Sequence, residues 1–189
     1  MVSREILSGL QRYVLDAREK LETMDWLVQG VGADAATPTF SYSVGLSRKY
    51  GHPEIAIVGF DPELCRQIIN EAGNLVRDHG ADFRTPLLSA GIVQQYDVAF
   101  RPVASASSRE KCRAGKAILD IADYPLVQLF FPDPQGFFPW QRRCDRRYAK
   151  IQTGFFKLEG ELPNRHGLKS VDAPATRPET GGKHSGETP

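Results

Sequence analysis

The chain has 189 residues, of which 41% are hydrophobic and 25% are charged, and its formal net charge is +1 at pH 7. These values are close to the globular average and predict one domain with a sizeable core. The near-neutral charge gives no global preference for nucleic acid or an anionic membrane. No stretch approaches the ~18 apolar residues that a membrane span requires.

The N-terminal segment and the cysteines indicate the cellular compartment of the protein. The N-terminal segment is amphipathic and carries charges of both signs, which is not typical of a signal peptide. Cys65, Cys112 and Cys144 lie far apart without a CxxC pair, and such a sparse set predicts free thiols in a reducing compartment. We therefore expect a soluble protein of the cytoplasm.

The first half of the chain alternates between helical and strand patterns. Apolar residues three and four positions apart predict an amphipathic helix over residues 3–22, within an N-terminal segment 1–24. Trp26 begins a short strand that ends near residues 30–32. "TPTFSYSVGL" predicts a second strand, with Phe40, Tyr42, Val44 and Leu46 on one face. "EIAIVGF", apolar almost throughout, predicts a central strand.

The second half begins with the clearest helix, over residues 61–80, where Asp61 is a natural N-cap and Gly80 closes the C-terminus. Residues 81–91 are predicted as a loop, and "IVQQYDVAFRPV" as one long strand. "SSREKCRAGKAILDI" predicts a helix, "PLVQLFF" a buried strand, and "PDPQGFFPW" a turn rich in proline and aromatic residues.

The order of these elements predicts a single α+β domain. We expect a mostly antiparallel sheet with two or three helices packed on it, formed by a core over residues 25–157. Residues 158–189 are dominated by Pro, Gly, Ser, Thr and charged residues. Such a composition cannot bury enough apolar surface to offset its ordering entropy, so it predicts a disordered C-terminal tail.

The Gly-His-Pro-Glu corner is the first candidate site. Pro53 restricts His52 to extended geometry, and residues two apart in a strand project from the same face. His52 and Glu54 are therefore candidates for a catalytic acid–base pair, with Glu54 orienting the imidazole. The alternative is architectural: His52 hydrogen-bonds a neighbouring loop and Glu54 lies on the rim. Both interpretations are open at this point.

Two further constellations lie in "QLFFPDPQGFFPW" and "QRRCDRRYAK". Gln128 is a polar exception in an apolar strand, Asp133 begins a tight turn, and Trp140 belongs either to a ligand-stacking wall or to a lid over the sheet. The basic residues of 142–150, with Trp140 and Tyr148 beside them, permit RNA or phosphate binding, but a solvated basic edge is the more ordinary explanation in a neutral chain.

Familiar catalytic and metal-binding motifs are missing from the sequence. It contains no P-loop, no GxGxxG after a strand, no GxSxG, no HExxH and no Cys/His metal spacing. We expect no metal site, and the sequence identifies no cofactor.

The motifs nevertheless resemble a bacterial family catalogued as domain of unknown function 4262. The resemblance covers about residues 25–155 and includes F-x-Y-[ST]-x-G-L, the G-H-P-E corner and Q-x-x-x-P-D-x-x-G-x-x-P-W. The matching residues are Phe40, Tyr42, Ser43, Gly45, Leu46, Gly51, His52, Pro53, Glu54, Gln128, Pro132, Asp133, Gly136, Pro139, Trp140 and Gln152. At Gln152 the chain departs from the pattern, because Thr153 follows where proline is usual.

The resemblance implies a fold unit and a shared pocket, but no particular activity. Its recurring polar residues make Tyr42, Ser43, Gln128, Asp133 and Trp140 the expected ligand-binding set.

One hypothesis is a small polar ligand held between residues 42–54 and 133–140, with acid–base or hydrolytic chemistry at His52. The alternative is a non-enzymatic interaction, immunity or defence-associated protein, and RNA binding through residues 142–150 is a weaker one. The expected partner is a small molecule or a protein.

The geometry of the proposed pocket is a testable expectation. Tyr42 should be buried beneath the His52–Glu54 corner, and its hydroxyl should find a polar partner there or at Gln128, because an unpaired buried hydroxyl costs ~1–3 kcal/mol. His52 should point toward the turn between Asp133 and Trp140.

Overall fold

The computed structural model describes residues 9–35, 37–85, 87–93 and 96–163. Over these residues the strands are β1 (Leu27–Val31), β2 (Phe40–Val44), β3 (Glu54–Val58), β4 (Leu87–Val93), β5 (Tyr96–Pro102) and β6 (Leu126–Phe130). The helices are α1 (Gly9–Leu21), α2 (Leu46–Tyr50), α3 (Pro62–His79), α4 (Ser105–Lys111), α5 (Arg113–Leu119) and α6 (Arg146–Gln152).

The strands form one sheet in the order β1-β2-β3-β6-β5-β4. Every neighbouring pair is antiparallel except β3 and β6, which run parallel with Glu54 opposite Leu126. The predicted α+β class and mostly antiparallel sheet are confirmed. Because β3 and β6 run the same way, both begin at one end of the sheet, which we call the near end. Both finish at the other, the far end, after Val58 and Phe130.

The two central strands are buried along their whole length. All five residues of "EIAIV" and all five of "LVQLF" are inaccessible, because helices cover both faces of the sheet at this point. The central position predicted for "EIAIVGF" is therefore confirmed, and the polar side chains of Glu54 and Gln128 must find partners inside the protein.

Helix α3 covers one face and confirms the helix predicted over residues 61–80. The Asp61 carboxylate accepts hydrogen bonds from the first-turn amides of Glu63 and Leu64 (3.0 and 3.1 Å), and Gly80 ends the helix with a positive φ of 63°. Trp26 packs directly on the middle of this helix. A Cβ atom at position 73 would lie 2.6 Å from the indole, so only glycine permits the contact.

Helices α1 and α5 cover the opposite face, where Phe40, Tyr42 and Val44 of β2 are buried together. The Arg18 side chain joins the two helices by donating to the carbonyls of Ala117 and Ile118 (2.7 and 2.9 Å). Residues 3–8 of the predicted N-terminal helix lie outside the described residues. Leu46, predicted on the same face of β2, instead starts α2.

Two predictions for residues 81–103 are wrong. Residues 87–91, the first five of β4, lie where a loop was expected over residues 81–91. The single long strand predicted over residues 92–103 is the last part of β4 followed by β5, with Val93 paired to Tyr96. The register shifts between Ser89 and Val93, and Gly91 has a φ of 103°. A glycine-containing bulge breaks the alternation from which a strand is recognised.

The prediction of two or three helices is too low. The helix predicted over residues 107–121 divides into α4 and α5 at Cys112, whose φ of −101° and ψ of 44° are not helical. The break lets the Cys112 side chain enter the core, where it is fully buried. Helices α2 and α6 were not predicted, because their few residues give no helical period.

The described chain remains attached to the sheet beyond residue 157. Leu158 forms an isolated bridge with Val103, and the Glu159 amide donates to the Pro102 carbonyl at 2.8 Å. The remainder of the predicted tail, residues 164–189, lies outside the described residues. None of the described helices combines the length and apolar character needed to cross a membrane.

Candidate functional site

The residues predicted to form one pocket lie at opposite ends of the sheet. His52 and Glu54 lie at the near end, because Glu54 is the first residue of β3. The turn that begins at Asp133 follows β6, which runs parallel to β3 and finishes at the far end. The expectation that His52 points toward this turn is therefore wrong, and two separate polar networks replace the expected pocket.

Glu54 is the centre of the near-end network. Its Oε1 accepts from the amides of Gly45 and Ser47 (both 3.0 Å) and from the Ser47 hydroxyl (2.7 Å). Its Oε2 accepts from the Ser43 hydroxyl at 2.6 Å and from the Leu46 amide at 3.3 Å. The fully buried carboxylate thus holds β2 and the start of α2 against β3, with no cation beside it among the described residues.

His52 is buried and has both ring nitrogens engaged by backbone. Nε2 accepts from the Phe83 amide at 3.0 Å, so Nδ1 carries the proton and donates to the Pro53 carbonyl at 2.6 Å. The ring meets Phe83 edge-on at 5.3 Å. Burial lowers the pKa of His52, which matches a neutral ring that joins the corner to the segment after α3.

The predicted His52–Glu54 pair is not formed. The two side chains have entirely separate partners, Phe83 and Pro53 for the imidazole and the α2 region for the carboxylate. Glu54 therefore does not orient His52. The architectural interpretation, in which His52 hydrogen-bonds a neighbouring loop, describes the observed contacts, except that Glu54 is fully buried and not on a rim.

Tyr42 is buried as expected, but its partner is a different one. Its hydroxyl oxygen accepts from the Gly115 amide of α5 at 3.2 Å, not from the corner and not from Gln128. Burial raises the pKa of Tyr42. Beside it, the Tyr124 hydroxyl donates to the Ser43 carbonyl at 2.7 Å, so Tyr42 connects β2 to α5 and Tyr124 connects it to the segment between α5 and β6.

The far-end network attaches α6 to the sheet. Gln128 donates to the Gln152 carbonyl at 2.6 Å. The Gln152 side chain accepts from the Phe131 amide (2.8 Å) and donates to the Phe131 carbonyl (3.1 Å), as a paired strand would. Helix α6 then lies so close to β3 that a Cβ at Gly59 would come within 2.4 Å of the Ile151 carbonyl oxygen.

Asp133 fixes the other end of this helix. Its Oδ1 accepts from the amides of Gln135 and Phe137 (3.0 and 2.8 Å), and its Oδ2 accepts from the amide of Asp145, the N-cap of α6, at 2.8 Å. Burial raises the pKa of this carboxyl, but the three amide bonds outweigh it and the pKa is lowered. Asp133 therefore shapes the turn and places the helix start.

Trp140 covers the sheet beside this network. Its ring stacks on Phe138 with centroids 5.1 Å apart and meets Phe130 edge-on at 5.5 Å. The Arg101 guanidinium lies over the indole, 5.9 Å from the ring centroid. These contacts are those of a lid over the sheet.

The far end also carries an apolar cleft of about 210 Å³ that the sequence did not reveal. We call it the aromatic cleft, and its lining residues are Phe60, Tyr96, Phe131, Pro132, Asp133, Pro134 and Tyr148. Of the predicted ligand-binding residues, only Asp133 lines it. The sequence feature that could have predicted the cleft is an aromatic residue directly after each of the apolar runs "EIAIVG" and "LVQLF", because parallel strands bring the residues at their C-terminal ends together.

The basic residues near Trp140 belong to the segment that contributes Tyr148 to this cleft. Arg142, Arg146, Arg147 and Lys150, which we call the basic rim, are exposed, and none forms a salt bridge among the described residues. Arg143 differs, since its guanidinium lies 4.5 Å from the Phe137 ring. Within the described part of the chain, no group of three or more His, Cys, Asp and Glu side chains is placed to hold a metal ion.

Fold and site together define an α+β domain whose recurring polar residues build two structural networks. The chain belongs to the family described as Domain of unknown function (DUF4262), whose model matches residues 20–145. The match begins at the end of α1 and stops just before α6. No curated protein and no solved structure matched the chain.

Proposed function

We propose that this protein is a non-enzymatic binding module that contacts a partner protein through the aromatic cleft. The observation that carries the proposal is the exposure of aromatic surface at the far end. Tyr96 is 47% exposed, and the half-buried rings of Phe60, Phe131 and Tyr148 lie around the same cleft. Aromatic side chains gathered at one accessible place are typical of protein interaction sites.

Acid–base chemistry at His52 has less support from the contacts. A general acid or base needs a ring nitrogen within reach of a substrate, whereas both nitrogens of His52 are bonded to backbone groups and the side chain is buried. The small polar ligand expected between residues 42–54 and 133–140 would have to span the sheet, because these segments lie at its two ends.

The setting we propose for this binding is a bacterial cytoplasm. The three cysteines are free thiols, two of them buried in the core, which favours a reducing compartment.

Affinity purification from the source cells, with quantification by mass spectrometry, tests the proposal. We compare the intact protein with Tyr96→Ala, which removes the most exposed ring of the cleft. The matched control is Leu15→Ala on α1, where the side chain is 51% exposed. At least one protein should be recovered with the intact chain and the control, and lost with Tyr96→Ala.

Two outcomes would overturn the proposal. Recovery of the same proteins with all three chains would remove the cleft as the binding surface. An enzymatic activity abolished by His52→Ala at unchanged folding stability would restore the acid–base function.

A further inference from the structure

We propose that the open edge of β1 binds an extended, uncharged segment of a partner polypeptide, which adds to the sheet as a further strand. This second site goes beyond the proposed function and shares no lining residue with the aromatic cleft. β1 is the terminal strand of the sheet and has β2 on one side only. Recognition by strand addition requires such an edge, because main-chain hydrogen bonds supply the affinity.

β1 lacks the features by which proteins protect the edges of their sheets. Its sequence, LVQGV, holds no charged residue and no proline, and it pairs with β2 in unbroken register. Edges of this kind accept further strands. At the opposite edge, the register of β4 shifts between Ser89 and Val93, and such a bulge disturbs pairing. Of the two edges, β1 is therefore the one open to an added strand.

The hydrogen bonds of β2 define the direction of its backbone groups. The Gly59 amide donates to the Thr39 carbonyl at 2.8 Å, so Thr39 faces β3. Because backbone groups alternate in direction along an antiparallel strand, those of Phe40 and Tyr42 turn the other way, toward β1.

The register then identifies the free backbone groups of β1. Phe40 and Tyr42 pair with Val31 and Gln29, so the amides and carbonyls of Val28 and Gly30 face outward. The Gly30 carbonyl accepts from the Gln29 side chain at 2.8 Å and keeps a second lone pair. Among the described residues, the two outward amides and the Val28 carbonyl have no hydrogen-bond partner. An added strand would pair with these groups.

Two clefts follow the same edge and provide room for the side chains of the added strand. One, of about 440 Å³, is lined by α1, β1 and α3, and the other, of about 420 Å³, lies beside the first turn of α3. Val28 and Arg66 line both clefts, which are therefore neighbours along β1. Since side chains alternate between the two faces of a strand, one set would lie against α1 and the other against α3.

The helices beside the edge favour a single segment over a second copy of this chain. Tyr13 of α1 donates to Gln29, and Arg66 of α3 lines both clefts, so helices flank the edge on both faces. Paired strands lie about 4.7–4.9 Å apart, whereas the axes of packed helices need about 8–10 Å. A second copy would bring its own two helices to this edge, while an extended segment brings none.

The charges along the clefts are balanced. Asp16 and Lys20 belong to the α1 wall, and Glu63 and Arg66 belong to the α3 wall, where the Glu63 carboxylate accepts from Arg66 Nε at 2.9 Å. Each wall thus carries one acidic and one basic group. Neither an acidic nor a basic segment is favoured by such walls, and charge complementarity selects an uncharged one.

A buried hydroxyl beside Gly30 indicates one polar side chain in the segment. Ser41 Oγ is buried and, apart from the Cys65 thiol, a weak acceptor, has no hydrogen-bond partner among the described residues. A Cβ at position 30 would lie 3.9 Å from this oxygen, and the bare glycine leaves that space empty. Ser41 lines the smaller cleft, so a Gln side chain crossing Gly30 can pair with it.

Fluorescence anisotropy with a defined probe tests the proposal on the intact chain. The probe is a labelled seven-residue peptide of alternating Thr and Val with a central Gln. Its counterpart carries N-methyl groups on the interior amides, which removes the donors and keeps every side chain. The peptide should bind at least about tenfold more tightly than the counterpart. Its affinity should change by less than about twofold as the salt concentration rises, because charge does not drive binding.

Variants of β1 and β2 locate the binding. Gly30→Pro removes the outward amide, which an edge strand tolerates, and Gly30→Ala is the matched control that keeps it. Gly30→Pro should bind the peptide about fivefold or more weaker than Gly30→Ala. Replacing the central Gln of the peptide by Leu should weaken binding to the intact chain about threefold, but not binding to Ser41→Ala. Circular dichroism verifies that each variant is folded.

Hydrogen exchange followed by NMR identifies the groups that pair. With the peptide bound, the Val28 and Gly30 amides should exchange at least about tenfold more slowly, because they become part of a ladder. The Gln29 amide faces β2 and should change by less than about twofold.

The outcomes separate this proposal from the proposed function. It is overturned if the N-methylated counterpart binds as tightly, if Gly30→Pro and Gly30→Ala bind alike, if binding falls steeply with salt, or if exchange at Val28 and Gly30 is unchanged. Self-association in analytical ultracentrifugation that is lost with Gly30→Pro would assign the edge to a second copy instead. Tyr96→Ala should bind the peptide as the intact chain does, so failure at β1 leaves the aromatic cleft and its proposed function standing.

Discussion

Replacing Glu54 with glutamine tests whether the buried carboxylate holds the near end together. Glutamine keeps the shape but presents an NH₂ group in place of one oxygen. At Oε1 that group would face the amides of Gly45 and Ser47, both at 3.0 Å. At Oε2 it would face only the Leu46 amide at 3.3 Å and the Ser43 hydroxyl, which can turn. The second orientation is therefore the one we expect.

The cost follows from the donors that lose their acceptor. In that orientation the Leu46 amide and the Ser43 hydroxyl proton are left unpaired inside the protein, at about 1–3 kcal/mol each. Removing a buried charge that lacks a cation works in the opposite direction, because desolvation of the carboxylate is avoided. We expect the lost bonds to prevail and the free energy of unfolding to fall by about 2–4 kcal/mol, a large part of a typical ~5–15 kcal/mol.

Urea unfolding followed by tryptophan fluorescence measures the change, since Trp26 and Trp140 pack in two different clusters of the core. The slope with denaturant should stay constant if both chains unfold in two states. The control Glu71→Gln, at an exposed position of α3, should change stability by less than about 0.5 kcal/mol. An unchanged or increased stability of Glu54→Gln would refute the reasoning, because the avoided desolvation would then outweigh the two lost hydrogen bonds.

Three further predictions concern the pH response, the far end and the thiols. Burial lowers the pKa of His52 in the folded protein. As the pH falls, the imidazole is therefore protonated in the unfolded chain at a higher pH than in the folded one. The contribution of His52 to stability should be constant above about pH 6.5 and fall below it by at most about 1.4 kcal/mol per pH unit until the lowered pKa is passed, and His52→Ala should remove that contribution in urea titrations at several pH values. Gln152→Ala should accelerate hydrogen exchange in α6, measured by mass spectrometry, whereas Lys150→Ala, at an exposed position of the same helix, should not. Native protein should label with maleimide at Cys144 alone, because Cys65, whose pKa burial raises to about 11, and Cys112 are buried. Rapid labelling of all three would contradict the packing.

The parts of the fold that the sequence predicts are those with strong local patterns. Asp61 and Gly80 bound α3 by capping chemistry that needs no tertiary contact, and "EIAIV" and "LVQLF" are apolar enough to be central strands. Helix α6 has only its N-cap, Asp145, and no comparable pattern along its length. It is basic and short, and its position depends on Gln152 and Asp133, whose partners lie 21 and 12 residues away.

The prediction of a shared pocket was wrong for a similar reason, because it depended on contacts between residues far apart in the sequence. Sequence reasoning assigned the polar residues of the motifs to one ligand pocket, whereas they pair with one another and with backbone groups in two networks. Ser43 and Glu54 bond each other across the β2–β3 pair, and Gln128 and Gln152 join β6 to α6. Buried polar residues must be paired whether they bind a ligand or support a helix, so their recurrence alone cannot distinguish the two roles.

The direction of one strand decides between a shared pocket and two separate networks. Had β6 run antiparallel to β3, the turn after Phe130 would lie at the near end beside His52, and the expected pocket could form. Because the chain between β3 and β6 includes α3, the β4–β5 pair, α4 and α5, it can return to either end, and the parallel return places Asp133 at the far end. That return also brings Phe60 and Phe131 together and creates the aromatic cleft. The same strand direction that separates His52 from Asp133 thus forms the surface through which we propose that the protein binds its partner.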